Sequence, residues 1–433
     1  MFYAKGGGWA SRNIDRLKRR AQMLPETEQG VIILMMLVKV LVLWFSTTGA
    51  LLLLYAWRGI FLAWREPVLR RPVMIIESDD WGAGPAEQAP AIEKIARILI
   101  SSADCNGRRP VMTLGMILAS ADGEKTLSSG SYHRQIISVR THGPLLDAIR
   151  SGIEAGVFSV QLHGMEHFWS PALLLASKSD QAVAAWLRCA PESPTEDLPS
   201  PLQSRWVDAS VLPARPLAVT AVQQAAREEV ATFRDIFGSA PFVAVPPTFV
   251  WTENVENAWA DAGIGVVVTP GSRFETRDED GRPASRGDPI YNGQSGEQSI
   301  VYLVRDVYFE PLFGHTAEQA LDALSSKSRL GRPTLFETHR FNFLGSEEKK
   351  SQALAELERL VRMAVKNYPD LAFLSSGKLA EILKNRDPDW LEPRFRRRLH
   401  VWITRLGELS RLRKFAWLTG WILPAGLLWR LTA

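Results

Sequence analysis

Cysteine is nearly missing from this chain: its 433 residues contain only Cys105 and Cys189. The two form no Cys-x-x-Cys pair, which excludes thiolate zinc fingers and a disulfide-stapled scaffold. One disulfide between them is allowed but nothing demands it, so cysteine usage fixes no redox compartment. Charge of one sign is also scarce, with 51 lysines and arginines against 47 acidic residues and a net charge of +4. The middle of the chain carries no zinc-finger spacing, no RNA-binding signature and no long basic stripe, so no nucleic-acid partner is expected. No internal repeat stands out beyond an alternation of short and long apolar patterns.

What the sequence does have begins at its ends. Val31 to Trp57 is an almost unbroken apolar run whose single charge is Lys39. It exceeds the roughly 20 residues a bilayer-spanning helix needs. It is too long for a typical signal-peptide core, and no small-x-small cleavage site follows it. A retained membrane helix is therefore expected. Arg12, Arg16, Lys18, Arg19 and Arg20 precede the run, and Arg58, Arg65, Arg70 and Arg71 follow it. The positive-inside comparison is close to a tie and does not orient the helix. At the other end, a basic segment running from Arg394 to Lys414 precedes the apolar stretch Phe415 to Trp429, which contains Pro424. That stretch is short for a span and is expected to lie at a membrane surface carrying anionic lipid. The domain organisation expected is a basic tail over 1–30, a transmembrane helix over 31–57, a linker over 58–71, a catalytic region over 72–385, and a basic, aromatic, interfacial tail over 386–433.

Between these ends the pattern changes. Short β-rich runs are expected at Val73–Glu77, Val111–Leu118, Phe158–His163, Phe242–Val245, Gly265–Val268, Ile300–Val304, Pro333–Thr338 and Leu371–Leu374. Amphipathic helical patterns separate many of them: Ala86–Ile100, Pro144–Glu154, Val219–Phe237, Asn254–Ala262, Thr316–Ser326 and Glu347–Lys366. Alternating strands and helices predict an α/β fold with parallel strands, and about seven units predict a distorted (β/α) barrel. Ser177–Pro216, rich in Pro and Ser, and the polar stretch Arg277–Gln298 interrupt the pattern and are expected to be loops over one barrel face.

The chemistry-bearing residues fall at the ends of these strands. The first strand runs into Ser78-Asp79-Asp80-Trp81-Gly82. The carboxyl ends of barrel strands are where such folds keep their active sites, although an isolated Asp pair is as often a turn or a helix cap. The third strand ends in His163-Gly164-Met165-Glu166-His167. Two histidines at i and i+4 share one face of a helical turn and can hold one ion together. Another strand delivers His339, followed by Arg340, and Phe242–Val245 runs into Pro246, Pro247 and Trp251. An aspartate and two histidines would leave room for a water, as catalytic zinc sites do.

Five segments together resemble the polysaccharide deacetylase (NodB-homology) family, in its branch with a Ser-Asp-Asp-Trp-Gly motif. They are IIESDDWG at 75–82, PVMTLGMILAS at 110–120, VQLHGMEHF at 160–168, FVAVPPTFVW at 242–251, and TLFETHRFNFLG at 334–345 with LAFLSSGKL at 371–379 behind it. The resemblance implies that Asp79 is a general base, that Asp80, His163 and His167 ligate a metal, and that His339 is a general acid. It implies a divalent ion, most simply Zn²⁺, and hydrolysis of an acetyl group on a sugar. One departure stands out. Many members carry an arginine just before the proline of the fourth segment, where this chain has Ala244 and Val245. That arginine orients the base, so the tuning of Asp79 is left open by the sequence. Trp81, Trp169 and Trp251 (with Arg340) lie around these motifs and are expected to contact an acetylated glycan, core packing being the alternative for each tryptophan.

Other readings fit less of the sequence. His163 to His167 also matches the HxxEH metalloprotease pattern, but that motif belongs in a long helix, and here Gly164 and Pro171 oppose one. A catalytically degraded, membrane-bound glycan-binding component would leave five suitable catalytic residue types unexplained. A glycosyltransferase using Asp79 and Asp80 would leave the histidines without a role. The expected protein is a metal-dependent carbohydrate deacetylase anchored to the bacterial inner membrane and acting on an envelope polysaccharide or its lipid-linked precursor.

Overall fold

A computed structural model describes residues 26–433. The basic residues Arg12 to Arg20 lie outside the described residues. The described chain falls into two compact units, Trp64–Val401 and residues 26–63 with Trp402–Ala433.

In the larger unit, the apolar runs become parallel strands buried on both faces. They are β1 (Val73–Gly82), β2 (Met112–Ile117), β3 (Phe158–Gly164), β4 (Val243–Ala244), β5 (Val266–Thr269), β6 (Val301–Val304), β7 (Val307–Tyr308), β8 (Thr334–His339) and β9 (Ala372–Phe373). Their order is β6-β5-β4-β3-β2-β1-β8-β7, with β9 also pairing β1. Every pairing in this sheet is parallel. The sequence expectation of strands is met at each site; β7 is additional. β6 and β7 lie on opposite edges of the sheet yet are separated only by Arg305 and Asp306. A two-residue link cannot reach across a flat sheet of this width. The sheet is therefore rolled, and its edges face each other across that link.

Alternation along the strands decides what the rolled sheet encloses. On β1, Met74 and Ile76 join an outer core with the helices, whereas Val73 and Ile75 join an inner one with Val266, Val268, Leu303 and Leu335. The outer helices are α2 (Gln88–Ile100), α3 (Val139–Glu154), α4 (Val219–Phe237), α5 (Glu253–Asp261), α6 (Ala317–Arg329) and α7 (Glu347–Asn367), while α1 (Glu26–Arg65) precedes the sheet. Ser138 caps the start of α3 and Thr316 that of α6, each in a reciprocal capping box that satisfies first-turn N–H groups. α8 (Ser376–Asn385) sends Leu379, Ile382 and Leu383 into the inner core. The inner core is apolar around the first residues of the strands. Two and four residues farther along β1, the same inward face carries Glu77 and Asp79.

The insertion over 177–216 folds as one short helix, Gln181–Cys189, two 3₁₀ turns and a small antiparallel pair, Val207–Asp208 with Arg215–Pro216. The second insertion braces it: buried Arg277 donates from Nε to Ser204 Oγ at 2.7 Å and from Nη1 to Ser200 Oγ at 3.3 Å.

In the smaller unit, α1 is a 40-residue helix containing the apolar run. Its stretch Gly30–Arg65 is long and apolar enough to cross a membrane. The chain's last residues form α9 (Phe395–Glu408), α10 (Ser410–Thr419) and α11 (Ile422–Thr432). The sequence reading made the final apolar stretch one surface helix. It is instead two helices reversing at Gly420, which adopts φ 81°. Pro424 is tolerated because it falls in the first turn of α11, where a backbone N–H has no helical partner.

Candidate metal centre

Two adjacent aspartates on a regular strand would point to opposite faces. Here the pairing of β1 with β2 slips between Ser78 and Trp81, and Asp80 takes a left-handed φ of 72°. Such a bulge re-aims side chains, and aspartate tolerates the left-handed region better than most residues. Both Asp79 and Asp80 consequently line one cavity. The sequence reading placed His163 and His167 on a helical turn. They instead leave the end of β3 through a bend over 165–168, with ring centroids 5.0 Å apart. Asp80 Oδ1 lies 3.3 Å from His163 Nε2 and 3.4 Å from His167 Nε2. All three residues are buried, and one ligand atom from each lies within 4.8 Å of the others.

The donor chemistry fits a divalent ion. His163 Nδ1–H donates to the Val245 carbonyl at 3.0 Å, which leaves Nε2 as the free lone pair. Asp80 Oδ1 is buried without a hydrogen-bond partner among the described residues. Burial alone would raise the Asp80 carboxyl, but His167 and His163 outweigh it and hold it far below the usual range. Burial pushes the His167 ring down to about 4, so it is neutral at pH 7. Two neutral-capable imidazoles and an ionised carboxylate meet in a buried cluster whose donor types could hold a divalent ion.

Asp79 sits next to this cluster, with Oδ2 4.0 Å from His163 Nε2. Gly115 on β2 makes room for it: a Cβ there would lie 2.3 Å from Asp79 Oδ1. Arg305, at the link between β6 and β7, donates from Nη2 to Asp79 Oδ2 at 2.6 Å and from Nη1 to Glu77 Oε2 at 2.8 Å. Its Nε is 3.3 Å from Glu337 Oε2. Three buried carboxyls thus share one guanidinium. Burial pushes Glu77 and Glu337 up despite Arg305. For Asp79, burial is outweighed by Arg305 and His163, and its carboxyl is held down. Asp79 is the member of the trio whose carboxyl is held below its ordinary value, so it is ionised at neutral pH. The arginine that the sequence lacked beside Pro246 is supplied from another strand end, 226 residues after Asp79.

Opposite stands His339, brought level with Asp79 by the β1–β8 register. Its Nδ1–H donates to Glu310 Oε1 at 2.6 Å. Burial would favour the neutral ring, but Glu310, Asp80 and Asp79 outweigh it and raise the imidazolium to about 10. Glu310 is itself fixed by Asn342.

These groups line a cavity of about 220 Å³, closed on one side by Thr195, Glu196 and Gln203 from the first insertion and bordered by Phe249 and Phe341. The residues expected to contact substrate do not line it. Trp81 is fully buried, stacks on Phe343 and donates to Ser78 Oγ at 2.8 Å. Trp251 is fully buried and donates to Glu256 Oε2 at 3.3 Å. Trp169 packs against the apolar cores. Arg340 is buried, with Nη1 on the Ala83 carbonyl at 2.7 Å and Nη2 3.4 Å from Glu196. Apolar bulk at these positions fills the space between strands and helices rather than the opening.

Glu166, the base of the metalloprotease alternative, is wholly buried and points away from the histidines. It is clamped by Arg205 at 2.7 Å, Arg134 at 2.7 Å and Tyr132 at 3.2 Å. Arg205 also holds Glu229 at 2.8 Å, which accepts the Met165 N–H. The network anchors the bend that carries His167, and it excludes a helical HxxEH site.

No family model matches this sequence, and no curated protein matches it. Solved structures do. A family 4 carbohydrate esterase from Streptomyces lividans in complex with acetate is 10% identical, with 70% of this chain and 92% of that one covered and a TM-score of 0.32. A peptidoglycan deacetylase, PdaC, from Bacillus subtilis is 10% identical over 74% of this chain and 95% of that one, with a TM-score of 0.34. The allantoinase Puue is 10% identical over 73% and 92%, with a TM-score of 0.40.

Proposed function

We propose that this chain belongs with the NodB-homology polysaccharide deacetylases and hydrolyses an acetyl group from a sugar of an envelope polysaccharide or its lipid-linked precursor. One observation carries the reading. The unpartnered Asp80 Oδ1 faces two imidazole Nε2 atoms, flanked by an ionised Asp79 on one side and a protonated His339 on the other. Zinc suits this ligand set, and a bound divalent ion would polarise the acetyl carbonyl and acidify a water.

The chain's own residues supply the proton transfers. Asp79, held ionised by Arg305, accepts the proton of the attacking water. His339, held protonated by Glu310, donates to the departing amine nitrogen or hydroxyl oxygen as the bond to the acetyl carbon breaks. Acetate and the free sugar leave. Arg305 and Glu310 touch no reacting atom; they set the charge of the two groups that do. The cavity suits a single pyranose ring carrying an acetyl group better than a strand of polymer lying across a flat surface. The long apolar helix α1 is consistent with an inner-membrane anchor and a substrate presented at a bilayer.

Acetate release tests the proposal. The full chain in detergent or nanodiscs is offered N-acetylated and O-acetylated sugars, oligomers and lipid-linked forms. Release with at least one class, abolished in Asp79→Asn and His339→Ala, is expected. A folded, metal-loaded protein that releases acetate from none of them would contradict it.

A further inference from the structure

The smaller unit holds a feature that catalysis does not use. α10 and α11 form a hairpin beside the later half of α1. Trp402 Nε1 donates to the Ile60 carbonyl at 3.0 Å, and Leu409 packs against Gly59. Farther down, Trp44 Nε1 donates to the Thr419 carbonyl at 3.0 Å, and Trp421 packs edge-on to Phe45 at 5.4 Å. α11 then returns, so that Trp429 Nε1 donates to Thr404 Oγ1 at 3.0 Å. The tip of the hairpin is thus level with Trp44 to Gly49, and its base with Gly59 to Ala63.

Length along α1 decides where that tip lies. From Val31 to Trp44 the helix rises only about 20 Å. The hydrocarbon core is about 30 Å thick. If α1 crosses a bilayer, as proposed above, the core must extend past Trp44 to about Leu51. Starting the core later, nearer Lys39, pushes its far boundary still closer to Arg65. Either way the tip lies inside the hydrocarbon. By the same level-matching, Arg411, Arg413 and Lys414 fall near residues 51–56 of α1, at the boundary when the core ends near Leu51.

The surface agrees with that placement. Trp417, Leu418 and Leu423 are 71%, 72% and 75% exposed, an apolar tip that water would penalise. Trp421, Thr48 and Thr419 at the tip have their side-chain hydrogen bonds satisfied within the protein, as a lipid environment favours. Trp421 Nε1 donates to Thr48 Oγ1 at 3.1 Å, Thr48 Oγ1–H to the Trp44 carbonyl at 2.7 Å, and Thr419 Oγ1–H to the Phe415 carbonyl at 2.8 Å. Trp421 approaches so closely that a Cβ on Gly49 would lie 2.8 Å from its indole. Beside the tip, Arg413 and Lys414 stand at the mouth of a cleft of about 460 Å³ floored by Trp417, Leu418 and Ile422. Two cations above an apolar floor match the phosphate and acyl chain of an anionic phospholipid.

We propose that the α10–α11 hairpin is a re-entrant element that dips into the leaflet nearest Arg65 and binds anionic phospholipid through Arg411, Arg413 and Lys414. It enters the hydrocarbon rather than lying on the surface.

Spin labels at single cysteines test this in the full chain, with Cys105 and Cys189 replaced by serine, in nanodiscs of phosphatidylcholine with or without phosphatidylglycerol. Labels at Leu41→Cys, Leu418→Cys and Leu423→Cys are expected to be reached by oxygen and shielded from a water-soluble nickel relaxer. Native mass spectrometry is expected to show retained phosphatidylglycerol, reduced at least about tenfold in the R411E/R413E/K414E variant. A shielded Leu41→Cys with water-accessible labels at 418 and 423 would overturn the hairpin while leaving the span intact. Water access at all three positions would overturn the span and the hairpin together. Equal retention of both lipids by the parent chain would overturn the anionic site.

Discussion

Replacing Arg305 by alanine removes the only guanidinium from a pocket holding Glu77, Asp79 and Glu337, all at most 6% exposed at the side chain. Two consequences differ in size and in readout. The first is stability: removing one partner of a buried ion pair typically costs about 3–5 kcal/mol. Part of this is relieved because burial already pushes Glu77 and Glu337 toward their neutral forms. The second is the pH profile. Against burial, the Arg305 guanidinium is the leading cause that holds the Asp79 carboxyl down, so the carboxyl rises when Arg305 is lost. With Asp79 as the proposed ionised base, the acid limb of kcat/KM moves to higher pH. Well below the new limb, activity falls about tenfold for each pH unit by which the limb moves. The linked stability has the same sign. The depressed Asp79 contributes stability above its unfolded value near 3.8, and that stability fades as pH falls through the lower folded value. Arg305→Lys keeps the charge but not the fork and should recover part of the shift. The assay is acetate release from pH 4 to 10 with thermal unfolding alongside. A folded Arg305→Ala protein whose acid limb does not move would refute the assignment of Arg305 to Asp79.

The opposite limb belongs to His339. Its raised value of about 10 means the imidazolium contributes stability fully below the unfolded value near 6.5, lost as pH rises toward 10. Glu310→Gln removes the main partner, so the alkaline limb of activity and the alkaline stability loss should both move to lower pH, which the same titration detects. Trp81→Ala should destabilise the fold by about 3–5 kcal/mol, visible in denaturant unfolding. Phe341→Ala, at the cavity edge, should raise KM with little change in stability; the reverse pattern would restore Trp81 as a substrate contact.

Much of this was legible in the sequence because the signals are local. Each strand of the sheet except β7 announced itself as a short apolar run, and each site motif followed directly from a strand end. Parallel strands bring Asp80, His163 and His167 to one end of the sheet, which strand-end placement foretold, but the register slip and left-handed φ that turn Asp80 into the cavity had no mark in the sequence. Arg305 was not legible. It sits in an ordinary Leu-Val-Arg-Asp stretch, and only the rolling of the sheet brings β6 and β7 over β1. Glu310 was hidden for the same reason. The tryptophans misled because apolar residues beside a site motif carry no mark of facing cavity or core. At the membrane end, composition identified an apolar, basic tail, but the reversal at Gly420 and the pairing with α1 depend on contacts between residues more than 370 apart.

The claim on which the account rests is that Asp80, His163 and His167 hold one divalent ion, and metal content measures it most directly. The full chain, purified without chelator, should carry about one equivalent of zinc, or take one up when zinc is supplied. His163→Ala and His167→Ala should each lose it while keeping their circular dichroism spectrum, and His142→Ala, whose ring bonds only its neighbour Thr141, should retain it. A folded parent chain that binds no ion at micromolar zinc or cobalt would contradict the account.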